Sequence, residues 1–180
     1  MLSLLQGFEV IRPDRRIQHL LFSFHEDAPG GKLYLSPIMD MYDGYIISCD
    51  ISTSPDFAQT KRMIDEAFDK YPDLEGLIFH SDQGWQYQMK PYQQRLKDKG
   101  IKQSFSRKGN CMDNSLMENF FGIMKNEMYY GYEYGSLEEL KKAMEEYIIY
   151  YNTERINSKR KGLSPLEYRQ QSLSELQLNY

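Results

Sequence analysis

Asn110–Glu127 reads NCMDNSLMENFFGIMKNE, and it decides the fold when set beside His80–Tyr87, HSDQGWQY. On a helix turning about 100° per residue, Leu116, Met117, Phe120, Phe121, Met124 and Met128 fall on one broad arc. Such an arc is a core-facing stripe. Asn114, Glu118 and Lys125 gather within roughly 40° of one another on the opposite side, with Lys125 about 10 Å along the axis from Glu118. A carboxylate and an ammonium therefore share one face. Two structural readings compete with a functional one: any amphipathic helix turns a polar side to water, and Ser115-x-x-Glu118 scans as a capping box that closes the first turn. Asp82 tips the balance. It lies at the end of the apolar run Leu77-Ile78-Phe79, with thirty-five residues between it and Glu118. A strand-end carboxylate joined by a helix carboxylate is how phosphoryl-transfer sites gather hard oxygen ligands for Mg²⁺ or Mn²⁺.

Composition sets the bounds. A chain of 180 residues with 41% hydrophobic residues supports one domain with a proper core. Mean hydropathy is -0.67 and no apolar run approaches the length of a membrane span, so the expectation is a cytoplasmic protein with no membrane partner. Met1–Phe8 is too short for a secretory signal and lacks its basic start. Cys49 and Cys111 are the two cysteines, far apart and without a Cys-x-x-Cys partner, which excludes a zinc motif and argues for idle thiols. The net charge of -4 runs against nucleic-acid binding. The charge is uneven, however. Arg107, Lys108 and Lys125 flank the candidate site, Arg155, Lys159, Arg160 and Lys161 cluster later, and the acids concentrate in 65–75 and 138–146.

Along the chain, residues 1–16 read as a disordered lead-in. Ile17–Phe24 reads as a strand, and Leu33–Met39 with Tyr45–Ile51 as a hairpin turning at Asp43-Gly44. Ser54-Pro55-Asp56 opens a helix that stops before Tyr71-Pro72. Leu74–His80 is a buried strand, Met89–Lys99 a helix, Ile101–Phe105 a short strand, and Ser106–Asn110 a loop. Leu137–Tyr151 is amphipathic, and Pro165 starts a tail helix. Three strands followed by alternating helices and strands give an α/β chain with a five-stranded mixed sheet and helices on both faces. The core spans 17–151, and 152–180 forms its helical tail.

The two motifs, HSDQGWQY and SRKGNCMDNSLMENFFGIMKNE with a basic residue seven past the Glu, resemble the catalytic core of bacterial insertion-sequence transposases of the orfB, DDE type, relatives of retroviral integrases. The resemblance runs from about Gly31 to Leu173. It implies an RNase H-like fold, cleavage and strand transfer of DNA during transposition, a two-metal site for Mg²⁺ or Mn²⁺, and a homo-oligomer working on element ends and target DNA at the nucleoid. It makes Asp82 the second acidic ligand, Glu118 the third, and Lys125 a DNA contact. Aligning Phe8, Pro13 and Phe24 with the family pattern puts Leu20 where the first catalytic aspartate belongs. Leucine binds no metal. Asp27 and Asp40 are displaced too far along the strands to replace it, and Asp40 matches a structural position. A full-length relative is also expected to carry an upstream helix-turn-helix part.

Around these residues, Asn114 and the loop residues Arg107 and Lys108 are candidate DNA contacts. Gln83, Trp85 and Tyr87 are placed to stack on or bond to unpaired bases, with core packing as the competing reading for Trp85. His80 shares a strand face with Asp82 and reads as a satisfied structural histidine. Arg155, in the family-like Tyr151–Arg155 motif, is either a phosphate contact or a partner for acids. Three functions follow: a transposase core weakened by Leu20, a nuclease of the same fold, or a non-catalytic DNA-binding or assembly remnant.

Overall fold

The computed structural model describes residues 16–19, 22–24, 30–71, 73–106 and 115–177. Most of the lead-in, and Leu20, Asp27, Arg107, Lys108, Cys111 and Asn114, lie outside the described residues.

One mixed sheet organises the chain. Its segments are β1 (Arg16–His19), β2 (Phe22–Phe24), β3 (Leu33–Asp40), β4 (Ile46–Ser52), β5 (Ile78–Ser81) and β6 (Lys102–Phe105). That is six segments where five strands are expected. The extra segment comes from the start of the chain: β1 and β2 fall within the single strand expected at Ile17–Phe24 and both pair antiparallel with β3 in one register, Ile17 opposite Asp40 and Phe22 opposite Leu35. β1 also pairs parallel with β5, and β5 parallel with β6, so the antiparallel opening passes into a parallel half. Arg16, counted in the lead-in from sequence, opens β1 instead.

Among the described residues five α-helices accompany the sheet: α1 (Phe57–Lys70), α2 (Lys90–Asp98), α3 (Ser115–Met124), α4 (Leu137–Thr153) and α5 (Pro165–Gln177). Local chemistry sets their ends. Asp56 Oδ1 accepts from the Gln59 N–H at 2.9 Å and Ser136 Oγ from the Glu139 N–H at 3.1 Å, each satisfying an orphan donor at a helix start. β5 starts four residues later than the sequence suggests. Gly76, at φ +77°, turns the chain there, and Leu77 N–H bonds back to the Leu74 carbonyl.

Alternate strand residues feed two cores. Leu33, Leu35 and Ile46 pack with Met117, Phe120, Phe121 and Met124 of α3 and with α4; Ile38 and Ile47 pack with α1, α2 and Phe79 of β5. The apolar arc read from the helix sequence is therefore the arc that is buried. The tail is bound in as well: Arg169 of α5 reaches the β3–β4 turn, where it pairs with Asp40 and Asp43. Among the described residues, no helix is long and apolar enough to cross a membrane.

Candidate active site

Asp82 follows directly on β5, at the carboxyl ends of the parallel strands, where α/β sheets present ligand-binding side chains. It is half-buried, and its Oδ1 accepts the Gly84 N–H at 2.8 Å. A Cβ on Gly84 would stand 2.9 Å from that oxygen and 2.8 Å from Gln86 Nε2, so a side chain here would push the carboxylate or the Gln86 amide aside. Among the described residues no cation pairs with Asp82. Two buried hydroxyls nearby in the fold, Ser81 Oγ and Tyr92 Oη, have no hydrogen-bond partner among the described residues. Burial, then Tyr87 and the negative charge of Asp82, hold the Tyr92 phenol well above its ordinary pKa, so it stays protonated.

His19, the last described residue of β1, pairs with Ser81. In the sequence the next residues are Leu20 and Asp82.

Glu118 lies on the first turn of α3 and is exposed. Ser115 is the first described residue of α3. Lys125 ends the regular helix and begins a π-helical turn, Lys125–Tyr129, with its Nζ 5.9 Å from the centre of the exposed Tyr130 ring.

The neighbouring candidates divide. Trp85 is 58% exposed, which removes it from the core, whereas Tyr87 is fully buried against Tyr92 and cannot stack on a base. Gln83 bonds Ser106: its Nε2 donates to that carbonyl at 3.1 Å, tying the end of β5 to the end of β6. His80 lies 3.1 Å from Ser104 Oγ and 3.2 Å from Ser106 Oγ, the satisfied structural histidine of the bland reading. Arg155 is brought to Glu127, not to Asp82 or Glu118, through Nε at 2.8 Å and a terminal nitrogen at 2.7 Å. Arg160 is buried beside the Tyr151 ring and adds nothing to a basic surface. Cys49 is a free thiol, and burial pushes it up to about 12, so it is inert.

Asp82 and Glu118 are both carboxylates, the donor type a hard divalent cation takes, and Asp82 is fixed by a backbone amide and without a counter-charge among the described residues. Among the described residues, no three carboxylate, histidine or thiol side chains come together as a metal cage.

With this geometry in hand, comparison with known proteins is decisive. Profiles of the integrase core domain match residues 12–111 and 118–173. The chain belongs to the integrase core family. It is 56% identical over 146 residues to an uncharacterized transposase-like protein of Haemophilus influenzae, covering 80% of this chain and 66% of that protein. To InsK of insertion sequence element IS150 from Escherichia coli K12 it is 51% identical over 143 residues, covering 79% of this chain and 50% of InsK. The chain thus spans about half to two thirds of the length of these curated relatives. In three dimensions it superposes on the HTLV-2 integrase catalytic core domain, solved in complex with magnesium, with a TM-score of 0.65 at 16% identity, over 87% of this chain and 97% of that one. The integrase core therefore has the RNase H-like α/β fold of the retroviral catalytic cores.

Proposed function

We propose that this integrase core, 17–151 with the helical tail 152–180, is the catalytic part of an insertion-sequence transposase that cuts and joins DNA at the bacterial nucleoid, and that its activity is depressed because Leu20 stands where the first acidic ligand belongs. The observation that carries the reading is Asp82: a strand-end carboxylate held by one backbone amide over a glycine, without a neutralising cation among the described residues. Asp82 and Glu118 are the residues that would hold Mg²⁺ or Mn²⁺, which stabilises the charge developing on phosphoryl oxygens when bound. Lys125 binds the phosphate backbone, and the exposed Trp85 offers an unpaired base a stacking face. Asn114, Arg107, Lys108 and Gln83 are the further DNA-contact residues of this reading. The HTLV-2 core was solved in trimeric form, and a homo-oligomer on element ends and target DNA fits this reading.

The test is metal-dependent joining of labelled element-end DNA by the chain and by Leu20→Asp. The variant is expected to gain turnover; equal robust turnover by both sinks the account of Leu20. Leu20, in place of the first acid, favours a second reading, a non-catalytic DNA-binding or assembly remnant. That reading requires Leu20→Asp to stay inactive while still binding DNA.

A further inference from the structure

We propose that Arg155 and Tyr147 are positioning residues: they grip Glu127 and thereby hold the π-helical turn that begins at Lys125, keeping that lysine where its spacing from Glu118 places it, on the same side of the helix. The inference rests on the reading of Lys125 as a DNA contact. Of the two sequence readings of Arg155, phosphate contact or partner for acids, it takes the second.

The regular helix α3 runs to Met124, and the turn Lys125–Tyr129 is wider by one residue, with the Tyr130 N–H donating to the Lys125 carbonyl at 2.7 Å. Such turns are rare, occur singly, and cluster at functional sites. This one is fastened at several points. Asn126 Nδ2 donates to the Gly122 carbonyl at 2.9 Å, and Met128 and Tyr129 are buried, the Met128 carbonyl accepting from the Tyr134 hydroxyl. The strongest fastening is at Glu127. Arg155 Nε donates to both carboxylate oxygens, at 3.0 and 2.8 Å, a terminal nitrogen adds a bond of 2.7 Å, and the Tyr147 hydroxyl donates at 2.8 Å.

A forked guanidinium–carboxylate pair fixes orientation as well as distance, which a single lysine bond does not. Its base is firm, since the Arg155 N–H bonds the Tyr150 carbonyl at the end of α4. Lys125 stands two residues before Glu127. Seven residues from Glu118 is close to two full helical turns, about 20° short, so Lys125 stays on the Glu118 side while Glu127 turns toward α4. The guanidinium that resembles a phosphate contact is thus committed to a carboxylate. Its effect on DNA is exerted through Lys125.

The experiment is the salt dependence of duplex-DNA binding by the whole chain, measured for Lys125→Ala, Arg155→Ala, the double variant, Glu127→Gln and Tyr147→Phe. One lost phosphate contact lowers the slope of log K against log salt by about 0.9. Lys125→Ala and Arg155→Ala are each expected to show that single loss, and the double variant no more than either. Glu127→Gln is expected to weaken binding, with Tyr147→Phe, the variant that leaves the ion pair and the fold in place, showing a smaller loss. A double variant losing twice the slope, or Glu127→Gln tightening binding by freeing the arginine, overturns the proposal in favour of direct contact. If Lys125→Ala lowers the slope and both Arg155→Ala and Tyr147→Phe leave it intact, the grip is idle and only this inference fails. If Lys125→Ala itself changes nothing, the reading of Lys125 fails and this inference with it.

Discussion

Asp40 and Asp82 occupy matching places, each at the end of a strand in one sheet, yet their surroundings assign them opposite work. Asp40 is fully buried and pairs with Arg169 at 2.8 Å, while its other oxygen accepts the Tyr42 N–H. Asp43 joins at 2.7 Å, the Tyr71 hydroxyl accepts from the same guanidinium, and the Tyr45 ring lies 4.4 Å from it. Burial alone would depress the Arg169 pKa, but Asp43 and Asp40 hold it above the ordinary value. Asp82 is half-buried, with one backbone amide and no cation among the described residues. An acid matched by an arginine is architecture; an acid held by a backbone amide is the one proposed to hold a cation.

Breaking each side of this comparison should give different losses. In a Leu20→Asp background, Asp82→Asn is expected to lower metal-dependent DNA joining by a factor of about a thousand or more, the several kcal/mol that metal stabilisation of a phosphoryl transition state supplies. Its thermal midpoint should hold. Arg169→Ala should do the reverse, costing about 3–5 kcal/mol in urea unfolding because it strands two buried carboxylates. If Asp82→Asn destabilises as much as Arg169→Ala, the contrast between the two aspartates collapses.

Smaller effects sharpen it. Trp85→Ala should weaken binding of single-stranded DNA by about 1–3 kcal/mol, the worth of one stacked base, and leave folding unchanged. Because Trp85 is the chain's single tryptophan, its fluorescence should be quenched on binding, and an unchanged emission would place the base elsewhere. The smallest effect is on pH. The hydrogen bonds from Arg155, helped by Tyr147 and opposed by burial, hold the Glu127 carboxyl below its usual 4.5. A depressed folded-state pKa contributes stability that is complete above the unfolded value and lost as pH falls through the folded one. The pair is partly exposed, so about 0.2–1 kcal/mol is involved. Stability measured from pH 6 down to 3 should fall further in the parent chain than in Glu127→Gln; parallel curves would contradict the grip.

Much of this architecture is legible in the residues because it is local. The stripe of Met117, Phe120, Phe121 and Met124, the Asp43-Gly44 turn and the Asp56 cap each declare themselves within a few positions. The Arg169 cluster does not, since its partners lie 126 and 129 residues away, and a charged residue on a tail helix reads as solvated. The π turn escapes too: one extra residue in a turn leaves no mark on a periodicity of about 3.6. Arg155 shows the same limit, for a guanidinium suits phosphate and carboxylate equally, and only the approach of Glu127 across 28 residues decides. HSDQGWQY and the helix motif put Asp82 at the end of a strand and Glu118 on a helix, where the elements have them, but gave no means of telling Trp85 from Tyr87. Packing against Tyr92 makes that distinction.

Calorimetric titration of Mn²⁺ into the chain, Asp82→Asn and Glu118→Gln, each with its thermal midpoint recorded, tests the shared metal site most directly. The account expects saturable binding by the parent chain and its loss in both variants at unchanged midpoints. Binding that survives intact in either variant would contradict it.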